Sequence, residues 1–427
     1  MRRRDFLVTA ASAVAAGAIS RRDMSFAQDR SPTSMALEER LAEVVSAYDA
    51  QGDHRTGTPV DNASAEWLAH QAQEMGVKVE LEGFSLNRVN LKSCYLRIAH
   101  RRIEGVPLFD AAFTDGDGVR GTLGPFGSDA EIGLAESEPF SLAEPRRAQA
   151  GVVARVRQSH HKAVVLLTGG TRPGLFLLNA VSFRKPGGPP TLQVSSVEAE
   201  WLKRQAQERA EATVVAYADR SATEAYNVTS QVSGSDPTLP PLVFMTPRSA
   251  WWQSASEQGS RLACWLEALR VMAAGNPKRD AYFVAMSGHE LGLLGIDAYI
   301  GRRPELVKRA HVWIFYGSDI GAPRQPNLIH ASDEPLERWL LQAMEQEAIG
   351  VDAKTRHDAP ARGEAGPIQR GGGRFVTVAC ASEAFHNVAD RWPEAIDIAL
   401  LARYARALAA PCSLRGRHGN ALPFVAV

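Results

Sequence analysis

The chain has 427 residues, 45% of them hydrophobic and 22% charged, as expected of a soluble globular protein of two or three domains that can each bury a core. Lys plus Arg and Asp plus Glu both number 48, so no net field draws the protein to nucleic acid or to an anionic membrane. A nucleic-acid-binding role therefore has no support from charge.

The first element in chain order is "MRRRDFLVTAASAVAAGAIS", in which Arg3 and Arg4 precede Asp5-Phe6-Leu7 and an Ala-rich apolar run. That run is roughly 15 residues, short of the roughly 20 needed to span a bilayer. It reads as a twin-arginine export signal over residues 1–27, with the small residues of "SFA" offering a cleavage point before Gln28. The competing reading is an Arg-rich first helix. The expectation is a periplasmic or secreted protein, exported folded, with no stable membrane span once the signal is removed. Cys94, Cys264, Cys380 and Cys412 form no CxxC pair or metal-spaced cluster. Cys264 and Cys380 lie inside apolar runs and read as buried thiols.

Residues 28–94 read as helix, polar loop, helix and strand, with Asn62 or Ser64 capping the second helix and Gly76 ending it. From 95 to 221 the texture changes to short β-like runs rich in Gly and Pro, which predicts an inserted, mainly β module. His160-His161 in "SHHK" falls there and reads as a polar turn. From 222 to 427 strands and helices alternate. The strands "PPLVFM", "DAYFVAM", "HVWIFYG" and "RFVTVAC" lead to the helices "GSRLACWLEALRVMAAG", "LGLLGIDAYIG", "EPLERWLLQAMEQEAIG" and "PEAIDIALLARYARALAA". Pro335 suits the first turn of the third helix. Continuous apolar strands alternating with helices predict a three-layer α/β/α fold around a mostly parallel sheet. The core domain thus comprises 28–94 and 222–427, and ligands are expected at the carboxyl ends of its strands.

The chemistry-bearing residues fall at those strand ends. "GHELGLLG" places His289-Glu290 just after "DAYFVAM", but Leu293 breaks the HExxH spacing of a helical zinc motif. Alone, the pair reads as the polar start of a helix. "FHNVAD" adds His386 beyond "RFVTVAC", and "SASEQGSRLACWLE" adds Glu257 before its helix. Glu257, Glu290 and His386 at one sheet edge would give two carboxylates and an imidazole, a set suited to one zinc ion with an open fourth position. Trp251, Trp252, Tyr316 and Phe385 cluster near the same ends, where they could line an apolar substrate pocket.

At these residues the chain resembles the zinc aminopeptidase family of clan MH, which includes aminopeptidases, glutamate carboxypeptidase and glutaminyl cyclases. The stretch "DHRTGTPVDNASAEWLAHQAQEMGVKVELEGF" resembles its opening helix and strand, and residues 95–221 its protease-associated insert. "YNV", "GHELGLLG" and "FHNVADRWPEAID" resemble its later signposts, in the family's order. The resemblance implies a two-zinc site that is here altered. Thr246 falls at the first His, Arg248 at the Asp that orients it, and Glu257 at the bridging Asp. His289 falls at the Glu base, Glu290 at the Glu ligand, Ser318 or Asp319 at the fourth ligand, and His386 at the last.

What the resemblance then implies is a metallopeptidase-like hydrolase of the aminopeptidase type acting on a peptide or other amide. A single zinc would be held by Glu257, Glu290 and His386, with Asp319 nearby and His289 as base. Arg248 is expected to face Glu257 or Asp319 in place of the lost metal's charge, or to hold a substrate carboxylate. The alternatives are a catalytically inactive peptidase-fold binding protein and a zinc-dependent amide cyclase or acyl transferase of the glutaminyl cyclase type.

Overall fold

The apolar runs of the second half do form a parallel sheet core, and its edge carries the candidate site. The structure, a computed structural model, describes residues 35–138, 145–323 and 326–409. The segment read as an export signal and Cys412 lie outside the described residues. In chain order the elements are α1 (Leu37–Asp49), α2 (Pro59–Gln73), β1 (Val79–Ile98), β2 (Arg101–Glu104), β3 (Val106–Pro107), β4 (Val119–Pro125) and β5 (Ile132–Glu136). Then come α3 (Pro145–Arg157), β6 (Ala163–Thr168), β7 (Thr191–Ser195), α4 (Ala199–Gln207), β8 (Glu211–Val232), β9 (Leu242–Pro247) and α5 (Ser260–Ala274). The second half continues with β10 (Ala281–Met286), α6 (Leu294–Arg302), α7 (Leu306–Arg309), β11 (Val312–Tyr316), β12 (Asn327–Ala331) and α8 (Glu334–Gln346). It closes with β13 (Ala353–Thr355), α9 (Ala365–Arg370), β14 (Phe375–Cys380) and α10 (Ile398–Ala409).

In the central sheet β9 lies between β10 and β11, parallel to both, and β14 is parallel to β11. β8 and β12 flank this set antiparallel, against β10 and β14 respectively. Side chains alternate across the sheet because successive strand residues point to opposite faces. Phe244, Phe283, Ile314 and Val376 pack with α1, α2, α5, α8 and α10 on one face. Val243, Met245, Val284, Trp313 and Phe375 pack with α6, α7 and α9 on the other. Three layers result, as the alternation of apolar strands and helices predicts. Cys264 and Cys380 are buried free thiols in the first of these cores.

The insert differs from its expected mainly β character. β4, β5, β6 and β7 pair in parallel, and α3 and α4 accompany them. Its core joins Leu123, Ile132, Val165 and Val194 to Leu202 and Ala206 of α4. β1 and β8, of 20 and 22 residues, pair antiparallel from Val79↔Ser230 to Ile98↔Ala212. The boundaries read at 94/95 and 221/222 therefore fall inside continuous strands that belong to both parts. The Gly- and Pro-rich texture around α3 and α4 reads as short β-like runs and hid both helices.

α2 begins earlier than its sequence signals suggest. Thr58, extended at φ −77°, ψ 162°, accepts from the Asp61 amide, and Pro59 occupies the first helical turn. A Thr-Pro pair supplies both the cap and the preset φ, so Asn62 and Ser64 fall within the helix. Thr58→Ala is expected to lower the unfolding free energy by about 1 kcal/mol, measurable by urea denaturation.

Candidate active site

The site begins at the end of β9, where the chain enters α5 through one π-helical turn, Ala255–Gly259. Single π turns inside helices recur at functional sites. This one is fully buried and is anchored by Asp390: the Ser256 amide donates to Oδ1 at 2.7 Å and the Glu257 amide to Oδ2 at 2.9 Å. Ser254, Leu293, Asp319 and His386 all adopt positive φ, between 52° and 67°. For residues other than glycine this is sparsely populated backbone, which is retained where the surroundings over-determine it. Four such residues at the strand ends mark the region as built for something other than packing.

Glu257 is the centre of the cluster. Its Oε1 lies 3.4 Å from His386 Nε2 and accepts from Gln258 Nε2 at 3.2 Å, while Oε2 accepts from Ser254 Oγ at 3.3 Å. His386 Nδ1 is 2.7 Å from the Leu177 carbonyl. A carbonyl only accepts, so Nδ1 carries the proton and Nε2 faces Glu257. The ring stacks on Phe385 with centroids 4.0 Å apart. Arg261, one helical turn beyond Glu257, is 1% exposed; its Nη2 lies 4.0 Å from Glu257 Oε1 and its Nε donates to Gln258 Oε1 at 2.7 Å. Burial would raise the Glu257 carboxyl, but His386, then Arg261 and His289, hold it down to about 2.

Two further carboxyls share this pocket of charge. Asp319 accepts from Ser256 Oγ at 2.8 Å through Oδ1, and its buried Oδ2 has no hydrogen-bond partner. Burial, then the charges of Asp390 and Glu257, push Asp319 well above the usual carboxylate range. Burial likewise pushes Asp390 up to about 7. These neutral-leaning acids beside an ionised Glu257 are what like charges in a desolvated space must become.

His289 follows β10, in the turn before α6. Its amide donates to Ser249 Oγ at 3.2 Å, and its Nδ1 is 2.8 Å from Glu364 Oε1. Glu364 is 1% exposed, whereas the His289 side chain keeps 13% of its surface. Burial alone would lower the imidazole, but the Glu364 carboxylate, by charge and by hydrogen bond, carries it above the ordinary value. The charges of His289 and Glu257 act on each other, which joins this dyad to the cluster.

Other expected site residues are placed elsewhere. Glu290 is turned from Glu257 and His386 and is fully engaged: Oε1 accepts from the Thr56 amide and Thr56 Oγ1, both at 2.7 Å, and Oε2 from Ser249 Oγ at 2.7 Å. Arg248 does not face Glu257 or Asp319. It pairs with Asp61 at 2.7 Å, both side chains 0% exposed, and its other nitrogens donate to the Tyr226 carbonyl. The guanidinium that meets Glu257 is Arg261. Thr246 is buried and donates to the Pro247 carbonyl. Among the aromatics, Phe385 and Trp252 lie against His386, the latter donating to its carbonyl at 3.1 Å. Trp251 packs edge-on to Phe109 and donates to Asn179, and Tyr316 belongs to the sheet core.

Arg261, Glu364, Ser249 and Thr56 were not expected at the site. Arg261 had a signal, since a cation four residues after an acid on a helix faces it. Glu364 comes from a long loop before α9 and carries no local pattern.

No family model matches the sequence, and no curated protein matches it. The fold does match solved structures. A zinc aminopeptidase from Bacillus subtilis superposes with a TM-score of 0.68 at 16% identity, over 88% of this chain and 93% of that one. An M28 peptidase precursor from Shewanella amazonensis SB2B gives 0.67 at 18% identity, over 87% and 96%. An aminopeptidase from Aneurinibacillus sp. strain AM-1 gives 0.63 at 16%, over 88% and 92%. At these identities the likeness is one of fold: the chain has the α/β fold of zinc aminopeptidases.

Proposed function

We propose that the protein is a peptidase-like hydrolase that cleaves a peptide or other amide, with His289 as the group that moves the proton. The observation that carries this reading is the His289–Glu364 dyad: a partly exposed imidazole, at the carboxyl end of a central strand, with Nδ1 held by a buried carboxylate. Support also comes from the fold, which is shared with aminopeptidases over 87–88% of the chain. With Nδ1 donating to Glu364, the neutral ring offers its Nε2 lone pair. Water would attack the amide carbon as its proton passes to Nε2, and the same proton would go to the leaving nitrogen as the C–N bond breaks. The products are a carboxylate and an amine. A side-chain dyad of this kind orients the base and stabilises its protonated form.

The Bacillus subtilis protein is a zinc aminopeptidase, and a single zinc on Glu257, Glu290 and His386 is the expectation carried from the sequence. The side chains as arranged do not fit that set. Glu290 accepts three hydrogen bonds from Thr56 and Ser249, and a guanidinium lies 4.0 Å from Glu257. Among the described residues no group of three or more His, Cys, Asp and Glu side chains is placed to hold a metal ion. No step above passes through one.

The test is turnover of a panel of aminoacyl and N-acyl amides, followed by release of the amine. Failure of every amide would remove the hydrolase reading and leave a binding role for the cleft. Export is part of the same proposal. Arg3→Lys with Arg4→Lys is expected to leave unprocessed protein in the cytoplasm, and unchanged secretion by cell fractionation would count against it.

A further inference from the structure

A cavity of about 290 Å³ reaches Glu290 and is lined by the loop before α2, strand β1, Phe109 and the turn after β10. Its walls divide by chemistry. Arg55 and Arg88 line it together, and Val89, Phe109 and Leu291 supply apolar surface. Arg88 is held in place, since its Nη1 donates to the Gly57 carbonyl and its Nε to Asn90 Oδ1, each at 2.8 Å. Arg55 reaches Asp53 at 3.2 Å through Nη2, its side chain 25% exposed, but its Nε is buried without a hydrogen-bond partner. A buried donor without an acceptor is unfavourable, so this nitrogen suits an acceptor from outside the chain. The one carboxylate in the wall, Glu290, is already compensated by three donors from Thr56 and Ser249.

We infer that this cavity is a binding site for a small organic carboxylate bearing an apolar group, with Arg55 and Arg88 on the carboxylate and Phe109, Val89 and Leu291 on the apolar part. Two guanidiniums present planar forks that match a carboxylate in bidentate fashion. The apolar wall opposite them selects against a bare inorganic anion. Pockets that combine placed polar groups with apolar surface hold small ligands of matching shape. Neither His289 nor Glu364 lines this cavity, so its occupancy can be measured without turnover.

Calorimetric titration of the full chain with 3-phenylpropanoate tests this, with 3-phenylpropan-1-ol as the neutral probe of the same shape. Saturable binding of the carboxylate is expected, at least about tenfold tighter than the alcohol, because a charge-assisted hydrogen bond contributes about 1.5–3 kcal/mol. Arg88→Met and Arg55→Met should each weaken it about tenfold or more. Arg88 also ties β1 to the Gly57 loop, so its variant could lose structure. Among the described residues the Arg55 side chain has one ion pair, with the partly exposed Asp53, and its variant keeps the test decisive when the melting temperature is unchanged. Equal affinity for the alcohol, unchanged affinity in a folded Arg55→Met, or competition by inorganic phosphate as effective as the carboxylate would each overturn the inference.

Discussion

Replacing His289 with Ala is expected to cut amide turnover by roughly 10²–10⁴-fold, the usual worth of a positioned general base. The variant should also lose some stability, about 1–3 kcal/mol, because the buried Glu364 carboxyl is left without its hydrogen-bond partner. The side chain retains 13% exposure, and its neighbours Ser249 and Glu290 are bonded to each other and to main chain independently of the ring. Glu364 is the group left behind: Oε1 loses the imidazole, and the buried Oε2 has no hydrogen-bond partner to begin with. That loss of stability is compatible with the expectation, but a rate per folded molecule that stays within a few-fold of wild type is not. Steady-state kinetics normalised to folded protein, by near-ultraviolet circular dichroism, separates the two.

The largest expected effect on stability lies at Arg248–Asp61, away from the proton-transfer chemistry. Arg248→Met is expected to destabilise the fold by about 3–5 kcal/mol, because removing one partner of a buried ion pair leaves the other charge uncompensated. Arg248 ties three elements at once: Asp61 in α2, the Tyr226 carbonyl in β8, and, through its own carbonyl, Tyr48 in α1. Asp61→Asn should cost a similar amount, since its one amide oxygen can accept from Gly57 and Ser287 or from Arg248 but not from both sides, and the buried guanidinium loses its counter-charge. In the double variant the effects should be clearly less than additive, as residues in one hydrogen-bonded pair couple. Urea unfolding of the four proteins gives the coupling, and a cost near zero for Arg248→Met would show that the pair is not formed in solution.

The fold was legible because its strands are written twice, as continuous apolar runs and as regular alternation with helices. "PPLVFM", "DAYFVAM", "HVWIFYG" and "RFVTVAC" became β9, β10, β11 and β14, the parallel centre of the sheet. Residues 95–221 were less legible, since β1 and β8 run across the boundaries read there and the Gly- and Pro-rich texture around α3 and α4 suggests strands alone. In the site, the positions of Glu257, Asp319 and His386 follow from strand order, and the structure brings them into one cluster. Spacing could not reveal where each side chain points. Glu290 follows His289 in a turn, where adjacency does not set direction, and Thr56 and Ser249 from distant segments decide that Glu290 is held as an acceptor. Arg248 was misassigned for the same reason: its partner Asp61 is 187 residues away, and no local pattern records that contact. Glu364 reaches His289 across 75 residues and was equally invisible.

The most direct measurement is the pH–rate profile of amide hydrolysis by the wild type and by Glu364→Gln. A neutral imidazole is required to accept the proton, so the rate should rise as pH increases through the His289 pKa. Glu364 lifts that pKa above the ordinary value of about 6.5, which places the wild-type limb on the alkaline side of an unperturbed histidine. Glu364→Gln removes the charge that favours imidazolium and leaves burial, which acts in the opposite direction, so its limb should move to lower pH with a reduced plateau. Superimposable profiles for the two proteins would contradict the assignment of His289 and Glu364 as the proton-transfer pair.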